Sequence, residues 1–417
     1  MNPDIIKACA PPFFFIIWFI FAQRAASRRV AGAALFFTSA VACSQNFSLC
    51  YRQVHQLIQV FLIAGAVFST IFSWRVLRCN SIFAVLAIFI GISLAFAPLD
   101  ADARVQLVNI ISVVGVLNYL YLSCQEKGEL QELMRFIAFL AVALALAGIA
   151  QSLLAPGTRA EGTMNNPNYY GYVLGLGCCL VAVECRGMRR ILALLILMLG
   201  ILVSGSRSAL FFPLLQVAWS AYRTGNVRRT LGYLCACALV VGILLSLNLT
   251  RFSDTEASQG SDAERIIFAM IALRMANDHP FTGVGWGRFV SEFGAYSTGA
   301  EKMLTDSGSI DVSDQERRVT HNDLVRILAE LGWVACLATV ALSLWALVKI
   351  FRRKGFGAEY LFSVWLGTVT FSLTHNNLNG ALFWFFFLLP FFLDGQARQE
   401  AAVPASFQRV PPLVEAR

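Results

Sequence analysis

Long apolar runs recur along almost the whole chain and are separated by short polar segments. The runs are continuous rather than alternating, which is typical of helices that cross a lipid bilayer and not of barrel strands. We therefore predict an all-α fold, a polytopic transmembrane helical bundle of about 12 to 13 spans. The candidate spans lie near residues 5–22, 30–45, 54–72, 81–97, 105–122, 132–154, 168–184, 190–204, 208–222, 230–248, 323–349, 358–374 and 380–394.

The loops between these runs alternate in charge. One set is rich in arginine and lysine, and the other is sparsely charged and short apart from one long loop. Because positively charged loops stay in the cytoplasm, the long loop is predicted on the opposite side of the membrane. The chain then divides into transmembrane helices over 1–248, a large outer loop over 249–321, transmembrane helices over 322–394 and a polar, disordered cytoplasmic tail over 395–417.

The composition agrees with a membrane protein. Hydrophobic residues make up 57% of the chain and charged residues 14%, against about 25% charged in soluble proteins. The net charge of +8 would suit a nucleic acid, but the basic residues cluster between apolar runs, so topology accounts for them and no nucleic-acid partner is expected. The eleven cysteines show no zinc or haem spacing.

The long outer loop is predicted to contain one helix and one tight turn. Ser261 and Glu264 have the spacing of a capping box, so the helix is expected to begin there and to continue through the apolar run that follows. The Asp-His-Pro sequence at 278–280 ends it, and a glycine-rich turn surrounds Trp286. Residues 291–319 are predicted to form an irregular, mobile lid.

Two outer segments carry an arginine where the charge bias disfavours one. Arg159 precedes Asn166-Pro167-Asn168, which is either a capped helix start or part of a substrate cavity. Arg207 lies in a Ser-Gly-Ser-Arg-Ser sequence between two apolar runs. Its guanidinium, the neighbouring hydroxyls and the next helix N-terminus together suit an anion, and the alternative is an arginine that extends to the interface.

Arg265 is the third candidate. It is predicted in the first turn of the loop helix, where the helix dipole disfavours a cation. It is therefore expected either to pair with Asp262 or Glu264 or to face the same anion as Arg207.

The fourth candidate segment opens the span after the loop. His321 is expected at the helix N-terminus, where the dipole favours the neutral imidazole of a base, and a capping histidine is the alternative. Asn322, Arg326 and Glu330 follow at intervals of four and share one polar stripe, which should face the bundle interior or an aqueous cavity. For Arg326 and Glu330 a purely structural ion pair is the alternative.

Together these segments resemble the O-antigen ligase family, bacterial membrane enzymes that attach a lipid-carried polysaccharide to the lipopolysaccharide core. The resemblance covers about residues 150–350 and is specific in order and spacing. The matching stretches are Arg159, Gly162 and Asn166-Pro167-Asn168, then Ser204-Gly-Ser-Arg207, then Arg265 with His279-Pro280-Phe-Thr-Gly283-Val-Gly285, and finally His321-Asn322 with Glu330-Leu-Gly332.

The resemblance implies a glycosyltransferase of the GT-C type in the bacterial inner membrane, with one large periplasmic loop beside the active site. It implies an undecaprenyl pyrophosphate-linked glycan as donor, lipid A–core as acceptor, membrane lipids as surroundings, and no metal or cofactor. It also implies that Arg207 and Arg265 hold the donor pyrophosphate and that His321 acts on the acceptor hydroxyl. Arg159, Asn168, Trp286, Asn322 and Arg326 are then candidates for the substrate cavity.

The chemistry of the residues is compatible with this expectation. Two guanidiniums neutralise a pyrophosphate leaving group, a neutral imidazole serves a weakly nucleophilic sugar hydroxyl, and direct displacement inverts the anomeric centre. An O-antigen or exopolysaccharide polymerase, which uses a second lipid-linked glycan as acceptor, is the main alternative. A protein O-oligosaccharyltransferase ranks lower, because such enzymes usually carry a larger C-terminal outer domain than the short tail here would allow. A transporter also ranks lower, because transporters place ionisable groups near the bilayer midplane.

Overall fold

The computed structural model describes residues 4–42, 54–64, 81–96, 101–124, 126–164, 166–224, 255–298, 320–355, 357–378 and 380–402. Every regular element within these ranges is helical. The helices are α1 (Asp4–Ala22), α2 (Arg28–Ala42), α3 (Val54–Ala64), α4 (Ser81–Phe96), α5 (Ala101–Ser123), α6 (Lys127–Leu154), α7 (Pro167–Glu184), α8 (Gly187–Ser204), α9 (Phe211–Thr224), α10 (Thr255–Asp278), α11 (Phe289–Tyr296), α12 (Asp323–Arg352), α13 (Leu361–Ser372) and α14 (Ala381–Ala402).

Four of the described helices are long and apolar enough to cross a membrane: α5 from Ala103, α6, α8 and α12. Shorter apolar helices occur at Ala10–Ala22, Val54–Ala64, Leu361–Ser372 and Ala381–Leu393. The chain is therefore a helical membrane protein. The total of 12 to 13 spans stays a prediction, and the candidate span at 230–248 lies outside the described residues.

Apolar side chains on the outer faces of the bundle agree with this environment. They include Leu146 and Leu153 on α6, Leu195 on α8, and Leu337 and Leu344 on α12, all of them exposed. A soluble monomer does not expose such long apolar faces, whereas lipid tails cover them.

Small residues bring α6, α7 and α8 close together in the middle of the bundle. A methyl group added at Gly177 on α7 would lie 2.5 Å from the Cβ of Ala141 on α6, and one added at Gly200 on α8 would lie 2.6 Å from Leu174. Helices in lipid gain stability mainly from this close packing, because burial of apolar surface drives association weakly there. Replacing either glycine would force these helices apart.

The helices of the long loop pack on the first two turns of α12. One face of α10 carries Ile267, Phe268, Ile271 and Met275, which are buried in a separate cluster with Phe289 and Phe293 of α11. The cluster is independent of the main membrane core. It holds α10 and α11 in place above the N-terminal end of α12.

Helix α12 is broken at Gly332, whose φ of 82° and ψ of −178° are not helical. The break frees backbone groups that an intact helix would pair with each other. The carbonyl of Ala329 instead accepts from the N–H of Val284 at 2.9 Å, and the N–H of Trp333 donates to the carbonyl of Pro280 at 2.8 Å. The turn after α10 therefore substitutes for the missing helical hydrogen bonds.

The same turn binds the carbonyl of Glu330. This carbonyl accepts from the N–H of Gly285 at 3.2 Å and from the hydroxyl of Ser93 on α4 at 3.2 Å. Gly283 has a φ of 62°, and a Cβ there would lie 2.5 Å from the Glu330 carbonyl oxygen. Only glycine permits this close approach of the two backbones.

Several predicted boundaries are wrong. Helix α10 begins at Thr255, six residues before Ser261, so the Ser261–Glu264 sequence is not a helix start and Arg265 is not in the first turn. The polar residues 255–262 have no apolar periodicity that would reveal their helix. Asp262 and Glu264 were the alternative partners predicted for Arg265. Their side chains are not among those that the structure describes, so this pairing stays a prediction.

Two further segments are more ordered than predicted. Within the supposedly irregular 291–319, residues up to Tyr296 continue α11, because Phe289 and Phe293 anchor that helix on α10. Residues 299–319 lie outside the described part. Residues 395–402, which were predicted to belong to the disordered tail, continue α14 to Ala402, and residues 403–417 lie outside the described part.

Candidate active site

The start of α7 and the end of α8 are joined by Arg159. Its Nε donates to the carbonyl of Ser204 and its Nη2 donates to Oδ1 of Asn168, both at 2.8 Å. Asn166 caps α7 by accepting from the N–H groups of Asn168 and Tyr169 at 2.9 and 3.2 Å. Arg159 and Asn168, both predicted for the substrate cavity, thus form part of the framework at this mouth of the bundle.

Arg207 follows the sharp turn that ends α8. Gly205 makes the turn with a φ of 63°, which glycine adopts without strain. The hydroxyls of Ser206 and Ser208 lie 3.3 Å apart, and both residues are buried. The side chain of Ser204 is also buried and bonds its own helix. In this structure the serine hydroxyls bond within the turn and to their own helix, whereas Arg207 is exposed.

His321 has an unusual backbone. Its φ of 48° is the one positive value for a non-glycine residue among the described residues. Such a conformation costs of order 1–3 kcal/mol and persists where neighbouring structure enforces it, often at functional sites. The half-buried imidazole lies over the ring of Phe268 on α10, with ring centroids 6.3 Å apart and planes 21° apart.

The surroundings of His321 favour its neutral form. Burial lowers the pKa of His321 from its ordinary value, and the positive charge of Arg265 lowers it further. Arg265 is half-buried on α10, the helix that also carries Phe268. A histidine that stays neutral at physiological pH has a ring nitrogen able to accept a proton.

A loop after α13 is tied to the start of α12. The carboxylate of Asp323, the first residue of α12, accepts from the N–H of Asn377 at 2.8 and 2.9 Å and from the N–H of Leu378 at 3.2 Å. The hydroxyl of Thr320 donates to Oδ1 of Asn376 at 2.9 Å. These contacts fix the loop beside His321.

The loop presents a second histidine. The ring of His375 stacks on Phe371 with centroids 4.3 Å apart and planes 10° apart, and Nδ1 lies 2.9 Å from the hydroxyl of Thr374. Burial lowers the pKa of His375 to about 3, and the positive charges of Arg265 and Arg159 lower it further.

The structure thus places Arg159, Arg265, His321 and His375 in one electrostatic environment. His375 lies in one of the outer loops that the charge alternation predicts, and it was expected to line the outer cavity without an assigned role. Asp323 was not predicted. The available signal for His375 was the run Thr-His-Asn-Asn at 374–377, which closes an apolar span. Asp323 had no signal beyond its position in the first helical turn, where a carboxylate is common.

The polar stripe of α12 serves the framework. Asn322 caps the helix by accepting from two backbone N–H groups at 2.9 and 3.1 Å. Arg326 pairs with Glu330 at 3.1 Å, and its guanidinium lies 4.9 Å from the ring centre of Trp286. All three side chains, those of Arg326, Glu330 and Trp286, are buried. Arg326 and Glu330 therefore form the purely structural ion pair that was the alternative to a role in the cavity. The indole of Trp286 packs inside the protein and does not line an open cavity.

The described side chains include no group of three or more histidine, cysteine, aspartate or glutamate residues able to hold a metal ion. Metal independence stays a prediction. What the described residues do contain is a cluster of cations and neutral imidazoles, which suits an anionic substrate and a proton transfer.

These observations define a helical membrane protein with a cationic, histidine-bearing site at one mouth of its bundle. Residues 192–341 match the family model described as O-antigen ligase, which confirms the resemblance found in the sequence. No curated protein matches the chain. The matched segment contains Arg207, Arg265 and His321 and excludes Arg159 and His375. The family is one of glycosyltransferase-like ligases and polymerases, so the match supports an activity of that general type.

Proposed function

We propose that the protein is an O-antigen ligase of the bacterial inner membrane. It transfers a polysaccharide from undecaprenyl pyrophosphate to a sugar hydroxyl of lipid A–core on the periplasmic face. The observation that carries the proposal is the environment shared by Arg265 and the neutral His321, within the segment that matches the family. The alternation of loop charge along the chain supports a periplasmic site.

In this proposal the arginines bind the leaving group. Arg207 and Arg265 hold the pyrophosphate oxygens of the donor, and their guanidiniums stabilise the negative charge that grows as the bond from the anomeric carbon to the phosphate oxygen breaks. Arg159 supports the site from its edge. It joins α7 to α8 and adds positive potential at the same mouth.

His321 accepts the proton in the transfer step. The acceptor hydroxyl attacks the anomeric carbon from the side opposite the pyrophosphate, so one C–O bond forms as the other breaks and the configuration inverts. The hydroxyl proton passes to a ring nitrogen of the neutral His321, and polyprenyl pyrophosphate leaves with the bonding electron pair. The low pKa of His321 keeps this nitrogen available at physiological pH.

Deletion in the native host tests the function. The lipopolysaccharide and the pool of undecaprenyl-linked glycans are compared by gel electrophoresis before and after deletion. A ligase predicts that the ladder disappears from lipid A–core while long chains accumulate on undecaprenyl pyrophosphate. If core capped with a single repeat remains and long chains vanish from both pools, the protein is a polymerase and the acceptor assignment is wrong.

A further inference from the structure

A second polar site lies in the outer part of the molecule. It is a partly open cavity of about 150 Å³ between the end of α4, the turn after α10 and helix α11. Its walls include Ser93 and Phe96 of α4, His279 and Thr282 of the turn, Arg288 at the start of α11, and Glu292 within α11. None of these side chains takes part in the site described above.

An apolar layer separates this cavity from His321. Phe268 lies against His321 on one side and against Phe293 of α11 on another, with a centroid distance of 5.4 Å for the second pair. Val284 belongs to the same buried cluster and lines the cavity from within. A ligand in the cavity therefore does not contact the histidine directly.

The charges in the cavity are already paired. Nη2 of Arg288 lies 2.5 Å from Oε1 of Glu292, and Nη1 of Arg288 donates to the carbonyl of Val284 at 3.1 Å. Because the guanidinium is neutralised in place, an anion would have to displace a carboxylate to bind it. A neutral ligand with several hydroxyls needs no such displacement, since a carboxylate oxygen accepts more than one hydrogen bond.

One wall of the cavity is aromatic. The side chain of Phe96 lines it and is 77% exposed. An exposed aromatic ring beside hydrogen-bonding groups suits the apolar C–H face of a sugar ring, which gains from burial on such a surface. At about 150 Å³ the cavity is smaller than the roughly 300–1,000 Å³ of drug-sized sites, so it accommodates one ring rather than an extended glycan.

We propose that this cavity is a saccharide subsite that binds one neutral sugar unit of a glycan substrate. The carboxylate of Glu292 accepts hydrogen bonds from the sugar hydroxyls, and the hydroxyl of Thr282 donates one to them. The ring of Phe96 covers one face of the sugar. The assignment of this sugar to the lipid A–core acceptor rests on the proposed function. The binding of a saccharide in the cavity does not depend on it. Occupancy here would hold the acceptor chain outside the apolar layer while another of its sugars reaches His321.

The test measures binding and transfer separately. The full-length protein in nanodiscs is mixed with core oligosaccharide freed from its lipid, and binding is followed by saturation-transfer difference NMR. Glu292→Gln and Thr282→Val keep side-chain shape, and Phe96→Ala changes an exposed residue, so folding is preserved in at least one of them. Ser291→Ala, on an exposed face of α11 outside the cavity, is the matched control.

We expect Glu292→Gln to weaken oligosaccharide binding by about tenfold, as for the loss of one charged hydrogen bond. The KM for the acceptor should rise similarly with kcat nearly unchanged, and Ser291→Ala should match wild type. The subsite is overturned if all three cavity variants bind the oligosaccharide with wild-type affinity. It is also overturned if the protein transfers glycan without binding the oligosaccharide at this cavity.

The outcomes distinguish the subsite from the proposed function. Binding that is weakened by the cavity variants in a protein without ligase activity supports the subsite and rejects the proposed reaction. Native mass spectrometry tests for a phospholipid that co-purifies with the wild-type protein. If such a lipid is lost in Glu292→Gln and no oligosaccharide binds, the cavity is a lipid headgroup site and the saccharide proposal is rejected.

Discussion

Acid should destabilise the folded protein through His375, and replacing this histidine with glutamine should remove that effect. Burial, reinforced by nearby positive charges, lowers the pKa of folded His375 to about 3. In the unfolded chain an imidazole titrates near about 6.5. Between these values the unfolded state binds more protons than the folded state, so stability decreases as the pH falls through this window.

The size of the effect follows from the two pKa values of His375. At pH 5 the folded imidazole is still neutral, whereas the unfolded one lies about 1.5 pH units below its pKa. At about 1.36 kcal/mol per unit this amounts to about 2 kcal/mol of lost stability. At pH 7.5 both states are neutral and the contribution is close to zero.

The assay is chemical unfolding of the purified protein in detergent at pH 7.5 and pH 5, for wild type and His375→Gln. Loss of the stacking contact with Phe371 should lower the stability of the variant by a similar amount at both pH values. The informative quantity is therefore the change in the wild-type-minus-variant difference, expected at about 2 kcal/mol. An equal difference at the two pH values would refute the argument that His375 is held neutral by burial.

Four further predictions follow from the framework and the site. Arg207→Lys keeps the charge and loses the planar fork, so transfer from purified donor should fall severely, and full activity would exclude a bidentate clamp. His321→Ala should abolish transfer while donor binding stays largely intact, and loss of donor binding would make it a donor-site or structural residue. Asp323→Asn leaves one oxygen for two backbone N–H groups, so we expect about 1–3 kcal/mol less stability and slower transfer, and an unchanged melting temperature would contradict the anchoring role. Gly283→Ala should cost about 3 kcal/mol or more, from a left-handed backbone and a clash with α12. Gly294→Ala is the control for Gly283→Ala, because a methyl group at Gly294 has no neighbour within 4 Å. Equal melting temperatures of the two variants would contradict the close approach of Gly283 to the backbone of α12.

Local signals in the sequence indicated one helix cap and one ion pair. Asn166-Pro167 caps its helix, as one of the two interpretations of that segment predicted. The cap at Asn322 was not predicted, because Asn322 was placed on the polar stripe of α12. The spacing of four between Arg326 and Glu330 places the two side chains on one face, where they pair. The start of α10 was not predicted in this way, because its first turns are polar and carry no apolar stripe.

The composition of the site depended on contacts between distant segments. His375 is 54 residues from His321 along the chain. Its position is set by Asp323, which accepts hydrogen bonds from the backbone of the nearby Asn377 and Leu378. Trp286 was expected to line the substrate cavity. Its glycine-rich turn instead completes the broken helix α12, which buries the indole against Arg326.

The sequence by itself determined the class of this protein, the approximate position of most of its described helices and the segments that carry its arginines and His321. These properties depend on the apolar length, charge and capping chemistry of neighbouring residues, which act locally. Only the tertiary structure decided which cations surround the histidines, which turn replaces the missing hydrogen bonds at Gly332, and which arginine is used as framework. Those outcomes depend on how helix ends far apart in the chain pack together, and buried polar groups then bond to whatever that packing brings within reach.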